Sequence, residues 1–370
     1  MHSIETVTNL SGVRVLVRCS YDVPVKDEVV VDTIRLDNGL QTVEYLIRKG
    51  ARIILIGHIG RDPKNSLKPV YEYLKQKINL TFVDDITGDV AHRAVEALED
   101  GGVLLLENLR RDPGEKGNDE NFAHSLASLA DIYVDDAFTN AHRHHASMVG
   151  VTKLLPSYAG FQFLAEVEGL KSALAPSSPS LAIVGGAKFE TKVVLVHTLL
   201  EKYDFVFVGG AVVNDFFVAK GYSVGKSLVS KTPVDKDILQ SPKILLPEIV
   251  TVEGSGGRRD VLVRDVLEDD VILDIAPASI LALQPTINSA RSILWNGPMG
   301  NFEKGFTAGT DALAIAIAGS SAKSIVGGGD TLSSIQNLGL MDKFTFVSTA
   351  GGAMLDFLAN GTLPGIEALD

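Results

Sequence analysis

Ser292-Ile293-Leu294-Trp295-Asn296-Gly297-Pro298-Met299-Gly300-Asn301-Phe302-Glu303 runs from an apolar strand into a Gly- and Pro-rich turn. Ser292 to Leu294 reads as a short buried strand. It breaks into Gly and Pro, which punctuate a chain, and leaves the polar Asn296 and Glu303 beside an apolar segment. An isolated Asn-Gly-Pro is an ordinary tight turn. Here the same order recurs at Gly185-Gly186-Ala187-Lys188 and at Gly327-Gly328-Gly329-Asp330-Thr331. Each is an apolar strand, then glycines, then a polar residue, then a helical pattern.

Working outward, the first part of the chain places short apolar runs at Arg14 to Val17, Arg52 to Ile56, Leu80 to Val83, Val103 to Leu106 and Ile132 to Val134. Helical stretches lie between them. Leu36 to Lys49 carries Leu40, Val43, Leu46 and Ile47 on one face, and Glu120 to Leu129 carries Phe122, Leu126 and Leu129. The second part repeats the pattern with runs at Leu181 to Val184, Phe205 to Val208, Ile244 to Leu246, Ile293 to Trp295, Ser324 to Val326 and Thr345 to Val347. Alternating strand and helix signals predict right-handed βαβ units and parallel sheets. Tyr158 to Leu174 reads as one amphipathic helix, with Phe161, Leu164, Val167 and Leu170 on a stripe, ended by Ala175-Pro176-Ser177-Ser178-Pro179. The expected fold class is α/β, with two doubly wound parallel-sheet (Rossmann-like) domains joined by a helix and hinge. The boundaries fall at 1–157 for the first domain, 158–178 for the interdomain helix and hinge, and 179–354 for the second. A helix in that place suits a hinge and, equally, a rigid spacer.

At 370 residues, 45% apolar and 22% charged, the chain can bury a core in each of two domains. No apolar run approaches the length needed to span a bilayer, so no membrane partner is expected. Met1-His2-Ser3-Ile4-Glu5 has neither the basic nor the apolar region of a secretion signal. Cys19, the single cysteine, excludes an internal disulfide and fits a reducing cytoplasm; within Val15-Leu16-Val17-Arg18-Cys19 it reads as a packed thiol. The net charge of −12 argues against nucleic acid as a partner, and it allows anionic small molecules wherever basic groups are gathered locally.

Such gathering is visible at strand ends, where open α/β sheets bind ligands. Arg18 ends the first strand, and Arg35 opens the helix that follows. Gly57-His58-Ile59-Gly60-Arg61 ends the second, Glu107-Asn108-Leu109-Arg110 the fourth, and Asp135-Asp136 through His142-Arg143 the fifth. Any one surface arginine is ordinary. Arg35, Arg61, Arg110 and Arg143 at one end of one sheet describe an anion site, because guanidinium forks match phosphate and carboxylate oxygens. His142, His144 and His145 lack the spacing and the Cys or carboxylate partners of a zinc site. In the second part the strand ends carry Gly185-Gly186 before Lys188 and Lys192, Gly209-Gly210, Gly327 to Gly329 before Asp330-Thr331, and Gly351-Gly352. Glycines let backbone amides approach phosphate oxygens, lysines add charge, and an Asp holds Mg2+, so this half reads as a nucleotide triphosphate site. Gly221-Tyr222-Ser223-Val224-Gly225-Lys226-Ser227 is one residue short of a Walker A loop and follows a helical stretch, so it reads as a surface turn. An anion site beside a polyphosphate site is what phosphoryl transfer to an acidic metabolite needs, with water shut out by two closing domains.

On these motifs the chain resembles the phosphoglycerate kinase family over nearly its whole length. The matching segments are Arg18 to Pro24, Asp32-Thr33-Ile34-Arg35, His58-Ile59-Gly60-Arg61, Ser66-Leu67-Lys68-Pro69, Leu105 to Arg110, Asp136-Ala137-Phe138 and Ala141-His142-Arg143. They continue with Gly185 to Lys188 and Lys192, Trp295 to Gly300, Phe302-Glu303, Gly327 to Asp330, Ser348 to Ala353 and Leu363-Pro364-Gly365. The resemblance implies reversible transfer between ATP and the carboxylate of 3-phosphoglycerate, giving ADP and 1,3-bisphosphoglycerate, with Mg2+, in glycolysis. It implies that His58, Arg61, Arg110 and Arg143 hold the substrate phosphate, with Ser20 and Asp22 in the substrate loop. Arg35 would meet the carboxylate and the phosphoryl group in flight. Lys188 and Lys192 would bind the nucleotide phosphates and the transferring group, and Gly185, Gly186, Gly209, Gly327, Gly328 and Thr331 would help hold the nucleotide. Asp330 would bind the Mg2+-nucleotide, and Asn296, Pro298 and Glu303 would line the nucleoside pocket. Amides of Gly329 and Gly352 would complete the transition-state shell. The first domain would be the acceptor domain, joined by a returning tail at 355–370, and a cytoplasmic monomer is expected.

Four positions depart from the pattern. Ser20 stands in place of Asp, Asp22 in place of Asn, Asp62 in place of Pro and Ala350 in place of Gly. The span from Pro247 to Leu273 is short. The nucleotide side is therefore well kept and the acceptor loop is not. A paralogue using another acidic acceptor, or a non-catalytic nucleotide-binding regulator, are the alternatives. Retention of Arg35, Lys188, Lys192 and Asp330 together argues against a regulator. A carboxylate at position 22 is expected to repel an anionic ligand.

Overall fold

Val15-Leu16-Val17 offers no polar side chain to either face of a sheet, so its strand must be covered on both. In the computed structural model, which describes every residue except Lys188 and Thr191, it lies inside β1 (Arg14–Cys19), buried from Val15 onward. The chain divides into two units, Met1–Glu168 with Thr362–Asp370, and Gly169–Gly361. The division falls within the helix Phe161–Leu174.

The first unit carries β1, β2 (Arg52–Ile56), β3 (Thr81–Val83), β4 (Val103–Leu106), β5 (Ile132–Asp136) and β6 (Ser157–Ala159). All pairs are parallel, in the order β3-β4-β2-β1-β5-β6. The chain winds outward from β1 through β2 to the edge strand β3, steps back to β4 between them, and then crosses to β5 on the other side of β1. The crevice where ligands bind in such sheets therefore opens between the ends of β1 and β5. The register sets Arg18 opposite Asp135 and Cys19 opposite Asp136 there. Cys19 is the packed thiol its context predicts: burial pushes it up to about 12, which removes it as a nucleophile.

The second unit carries β7 (Ser180–Val184), β8 (Phe205–Val208) and β9 (Ile244–Leu245). A three-stranded antiparallel sheet follows, made of β10 (Ile249–Gly254), β11 (Gly257–Leu262) and β12 (Val271–Ile275). The parallel sheet resumes with β13 (Ser292–Asn296), β14 (Lys323–Gly327) and β15 (Phe346–Ser348), in the order β9-β8-β7-β13-β14-β15. Its switch point lies between β7 and β13, where Val184 pairs with Asn296.

Three details differ from the sequence reading. Tyr158 belongs to a strand rather than a helix. Gly160 N–H donates to Asp135 O at 2.8 Å and Phe163 N–H to the Asp136 carboxylate at 3.1 Å, so the helix starts at Phe161, where an acid can cap it. The tail returning to the first unit starts at Thr362, later than expected. Met354, Phe357 and Leu358 of the helix Gly352–Asn360 are buried and stay with the second unit. The tail is held by Gly365 N–H to Ala141 O at 2.7 Å and by Asp370 against the N-terminal amine at 2.6 Å. The antiparallel sheet was not foreseen, although Ser255-Gly256 between two β-patterned runs is a hairpin signal.

Buried carboxylates at the end of β5 make the first unit sensitive to pH. Burial pushes Asp135 up to about 7, although Ala137 N–H and Arg18 favour its ionised form. An acid whose folded value lies above its unfolded value of about 3.9 holds its proton longer when folded. Its contribution is intact below pH 4, falls as pH rises toward 7, and is constant above. Asp135→Asn keeps the acceptor for Ala137 N–H, which lies 2.9 Å away. Relative to the unchanged protein, the variant should therefore gain in urea midpoint from pH 4.5 to pH 7.5. A difference independent of pH over that range would refute the assignment.

Candidate active site

Each unit gathers its charged groups at its own switch point. In the first unit Arg18 leaves β1 with its guanidinium wholly buried. It donates from Nε to Ser147 Oγ at 2.9 Å and from Nη1 to Cys19 O, and its Nη2 meets His58 Nδ1 at 2.7 Å. His58 follows β2 and is equally buried; its Nε2 lies 3.4 Å from Asp22 Oδ2. Burial, with the positive charges of Arg18 and Arg110, lowers His58 to about 4 and outweighs the pull of Asp22. The ring is therefore neutral at physiological pH.

Asp22 is not the isolated negative charge that the sequence suggested. Its carboxylate accepts from Gly60 N–H at 2.8 Å, and Arg35 Nη1 donates to its backbone carbonyl at 2.6 Å. Burial opposes its ionisation, but His58, Gly60 and Arg110 prevail and hold it well below the usual carboxylate range. Ser20 Oγ sits 2.8 Å from Thr139 Oγ1, which ties the loop after β1 to the turn after β5. Arg110, in the turn after β4, donates from Nη1 to Gly60 O, while its buried Nε has no partner among the described residues. Burial, then the nearby Arg18 and Arg143, push Arg110 below its ordinary value despite Asp22. Arg143 and Arg61 are exposed. Guanidiniums this close repel each other until an anion arrives, and an unpartnered buried N–H is a place for one of its oxygens.

In the second unit Gly185 N–H donates to Asn296 O at 2.8 Å and Gly186 N–H to Pro298 O at 2.9 Å, which joins the loops after β7 and β13. Such an approach leaves no room for a side chain. A Cβ on Gly297, which has φ +95°, would stand 2.6 Å from the Gly185 carbonyl carbon. Beneath this seam Lys192 Nζ is buried and donates to Asn296 Oδ1 at 3.0 Å. It forms no ion pair among the described residues. Burial alone lowers it to about 8. Lys188 lies outside the described residues.

A cavity of about 510 Å³ opens beside the seam, lined by Gly186, Gly210, Lys226, Pro298, Glu303 and Asp330 among others. Gly328, with φ +111°, and Gly351, with φ +57°, turn the chain so that Gly329 and Gly352 open the helices Gly329–Asn337 and Gly352–Asn360. Helix N-termini of that length present amides to phosphate. Asp330 is raised by burial and by the charge of Glu303. Thr331 Oγ1 is buried without a partner among the described residues. Gly209 and Gly327 pack against the sulfurs of Met299 and Met354. The described residues contain no group of three or more acidic, His or Cys side chains able to hold a metal ion. A single carboxylate such as Asp330 could supply one oxygen to a Mg2+ ion.

Two placements differ from expectation. Asn296 does not line this cavity; it orients Lys192, while Pro298 and Glu303 do line it. The segment Gly221–Ser227 is a turn, but not one remote from the site. Gly225 bridges Val271 and Lys226 N–H donates to Asp270 O at 2.7 Å, so Lys226 and Leu228 reach the cavity. Seeing this required the antiparallel sheet that carries Val271. In the sequence Arg18 marks only the end of a strand, and nothing in its spacing marks it as the support under His58.

The Phosphoglycerate kinase family profile matches residues 4–361. The phosphoglycerate kinase of Moorella thermoacetica is 42% identical, with 97% of each chain covered, and that of Roseiflexus sp. (strain RS-1) is 40% identical, also with 97% of each covered. Among solved structures, the Pyrococcus horikoshii OT3 phosphoglycerate kinase superposes with a TM-score of 0.90 at 32% identity, covering 100% of this chain and 98% of that one. The Coxiella burnetii phosphoglycerate kinase gives 0.84 at 36% identity, covering 99% and 98%. Motifs, topology and relatives agree, and the chain belongs to the phosphoglycerate kinase family.

Proposed function

We propose that the chain transfers a phosphoryl group reversibly between ATP and the carboxylate of 3-phosphoglycerate, with the acceptor held by the first unit and the nucleotide by the second. The observation that carries this reading is Lys192, a buried cation hydrogen-bonded to a neutral amide oxygen and facing a glycine seam. A lysine left so uncompensated calls for an anion, and the helix N-termini at Gly329 and Gly352 call for the same one.

His58, Arg61, Arg110 and Arg143 bind the acceptor's phosphate. Arg35, which donates to the Asp22 carbonyl, meets the acceptor carboxylate and the group in transfer. Ser20 and Asp22 shape the loop. On the nucleotide side Gly185, Gly186, Gly209 and Gly327 to Gly329 frame the phosphates together with Lys188 and Lys192. Thr331 lends its free hydroxyl, Pro298 and Glu303 border the nucleoside, and Asn296 steadies Lys192. Asp330 would hold a Mg2+ bound with the nucleotide, which would supply charge neutralisation to the phosphates. The amides of Gly329 and Gly352 meet the equatorial oxygens. No general base is needed, because the attacking carboxylate is already ionised at neutral pH. Catalysis is positioning and charge stabilisation. No described helix is long and apolar enough to cross a membrane. The proposed setting is the cytoplasm, and the proposed active form is a monomer; a sedimenting species well above 39.5 kDa would overturn the latter.

A coupled assay with ATP and 3-phosphoglycerate tests the whole reading, and no turnover would point to another acid as acceptor. Lys192→Ala and Arg35→Ala should each lower kcat by roughly 100-fold or more with smaller changes in KM, because both charges act most on the transition state. A near-normal kcat in either variant would remove that role. Asp330→Asn should raise the free Mg2+ concentration needed for half-maximal rate, whereas an unchanged Mg2+ dependence would place the ion elsewhere.

Asp22→Asn keeps an acceptor for Gly60 N–H and removes a carboxylate that competes with the substrate for His58. It should lower KM for 3-phosphoglycerate several-fold and leave KM for ATP unchanged. A higher KM for the acid would show that Asp22 supports the site instead of opposing it.

A further inference from the structure

We propose that Arg18 is a positioning residue for acceptor binding: it locks His58 in the Nε2–H tautomer, so that a neutral, directed donor faces the substrate's phosphate. The inference rests on the placement of His58 in the acceptor site and adds the device that orients it.

A guanidinium carries only donors, so the His58 Nδ1 that Arg18 Nη2 meets at 2.7 Å must be the unprotonated, accepting nitrogen. The ring proton is then on Nε2, which points to Asp22 and the open side of the site. Arg18 is itself fixed from behind. Its Nε donates to Ser147 Oγ, which donates to Glu115 Oε1 at 2.7 Å, and Ser147 N–H donates to Glu115 Oε2 at 3.0 Å. Glu115 is wholly buried; burial opposes its charge, but His145, Arg18 and Ser147 outweigh it and keep it ionised. The result is a continuous chain, Glu115–Ser147–Arg18–His58–Asp22, running from the first unit's interior to the substrate loop. The charged groups facing His58 are Arg18, Arg110 and Asp22. The two arginines disfavour its imidazolium, so the site gains its donor from tautomer selection and not from charge.

Nitrogen-15 NMR of histidine in the full-length protein reads this directly, with His58→Gln assigning the resonance among the 8 histidines. Between pH 5.5 and 8 the unchanged protein should show His58 neutral with the proton on Nε2. The Nδ1–H tautomer, or an imidazolium at pH 7, would overturn the lock and leave the site placement standing. Arg18→Met combined with Glu115→Gln removes a buried cation together with its counter-carboxylate, which protects the fold. This pair should mix the tautomers and raise KM for 3-phosphoglycerate roughly tenfold, with KM for ATP and kcat little changed. In a His58→Gln background, where no tautomer exists, the same pair should leave KM unchanged. An equal rise there would show that Arg18 acts on the fold at large. His58→Ala with normal KM would overturn the site placement and not the lock.

Discussion

A full positive charge on Arg18, with none of its surface exposed, is the constraint around which the first unit is arranged. Removing a guanidinium from water costs several kcal/mol unless every donor is met and an opposite charge is near. The unit meets both demands with groups from far apart in sequence. Ser147 and Cys19 O accept from it, His58 closes one side, Glu115 answers the charge through Ser147, and Asp135 stands opposite in the strand register. Each contact fixes a segment: the π-helical turn Ala146–Gly150, the short helix Pro113–Gly117, and the ends of β2 and β5. The substrate loop then rests on these, because Asp22 accepts from Gly60 N–H and carries Arg35 on its carbonyl. Of these contacts, the one to His58 is the one that reaches the substrate loop, through Asp22.

The second unit uses the opposite economy. Lys192 is buried too, yet among the described residues it forms no ion pair and meets only an amide oxygen. The cost appears as its lowered affinity for a proton, down to about 8. A bound polyphosphate would relieve that cost, so ligand affinity and lysine charge are linked. Asp330 shows the same logic with the sign reversed, since burial and Glu303 hold it above the ordinary carboxylate value until a cation arrives. Opposite charges that each lack an ion-pair partner among the described residues suit a ligand carrying both, such as a metal-bound nucleotide.

What was legible in the sequence was whatever local pattern dictates. The strand runs Arg14 to Val17, Arg52 to Ile56, Val103 to Leu106 and Ile132 to Val134, and the glycine turns at Gly185, Gly297 and Gly328, stand where periodicity and punctuation put them, within two residues. The placement of Arg35 at a helix start was equally visible. Pairing across long separations was not visible. Asn296 serves Lys192 from 104 residues away, and Ser147 serves Arg18 from 129. Lys226 reaches the cavity only because Gly225 bridges a strand of the antiparallel sheet. No window of sequence contains these partners. The Tyr158 error has the same origin, because a stripe of apolar residues suits a helix while strand pairing with β5 and an Asp136 cap decide where that helix starts.

The exchange of residues in the acceptor loop follows from where its charges can be met. The family pattern sets an acid at position 20 and a neutral amide at 22; here the acid is at 22 and a hydroxyl at 20. Ser20 directly follows Cys19, which pairs in register with Asp136, and neighbouring Asp135 is already forced up to about 7 by burial. With both these carboxylates short of partners for one oxygen, an acid at position 20 would add a third negative charge to that end of β5. A hydroxyl avoids this and still binds Thr139 at 2.8 Å. At position 22 the carboxylate instead finds Gly60 N–H, the His58 ring and the field of Arg110, and is held strongly ionised. The loop therefore keeps its negative charge and moves it from a crowded place to a compensated one. In doing so it puts that charge against the one ring nitrogen that Arg18 leaves protonated.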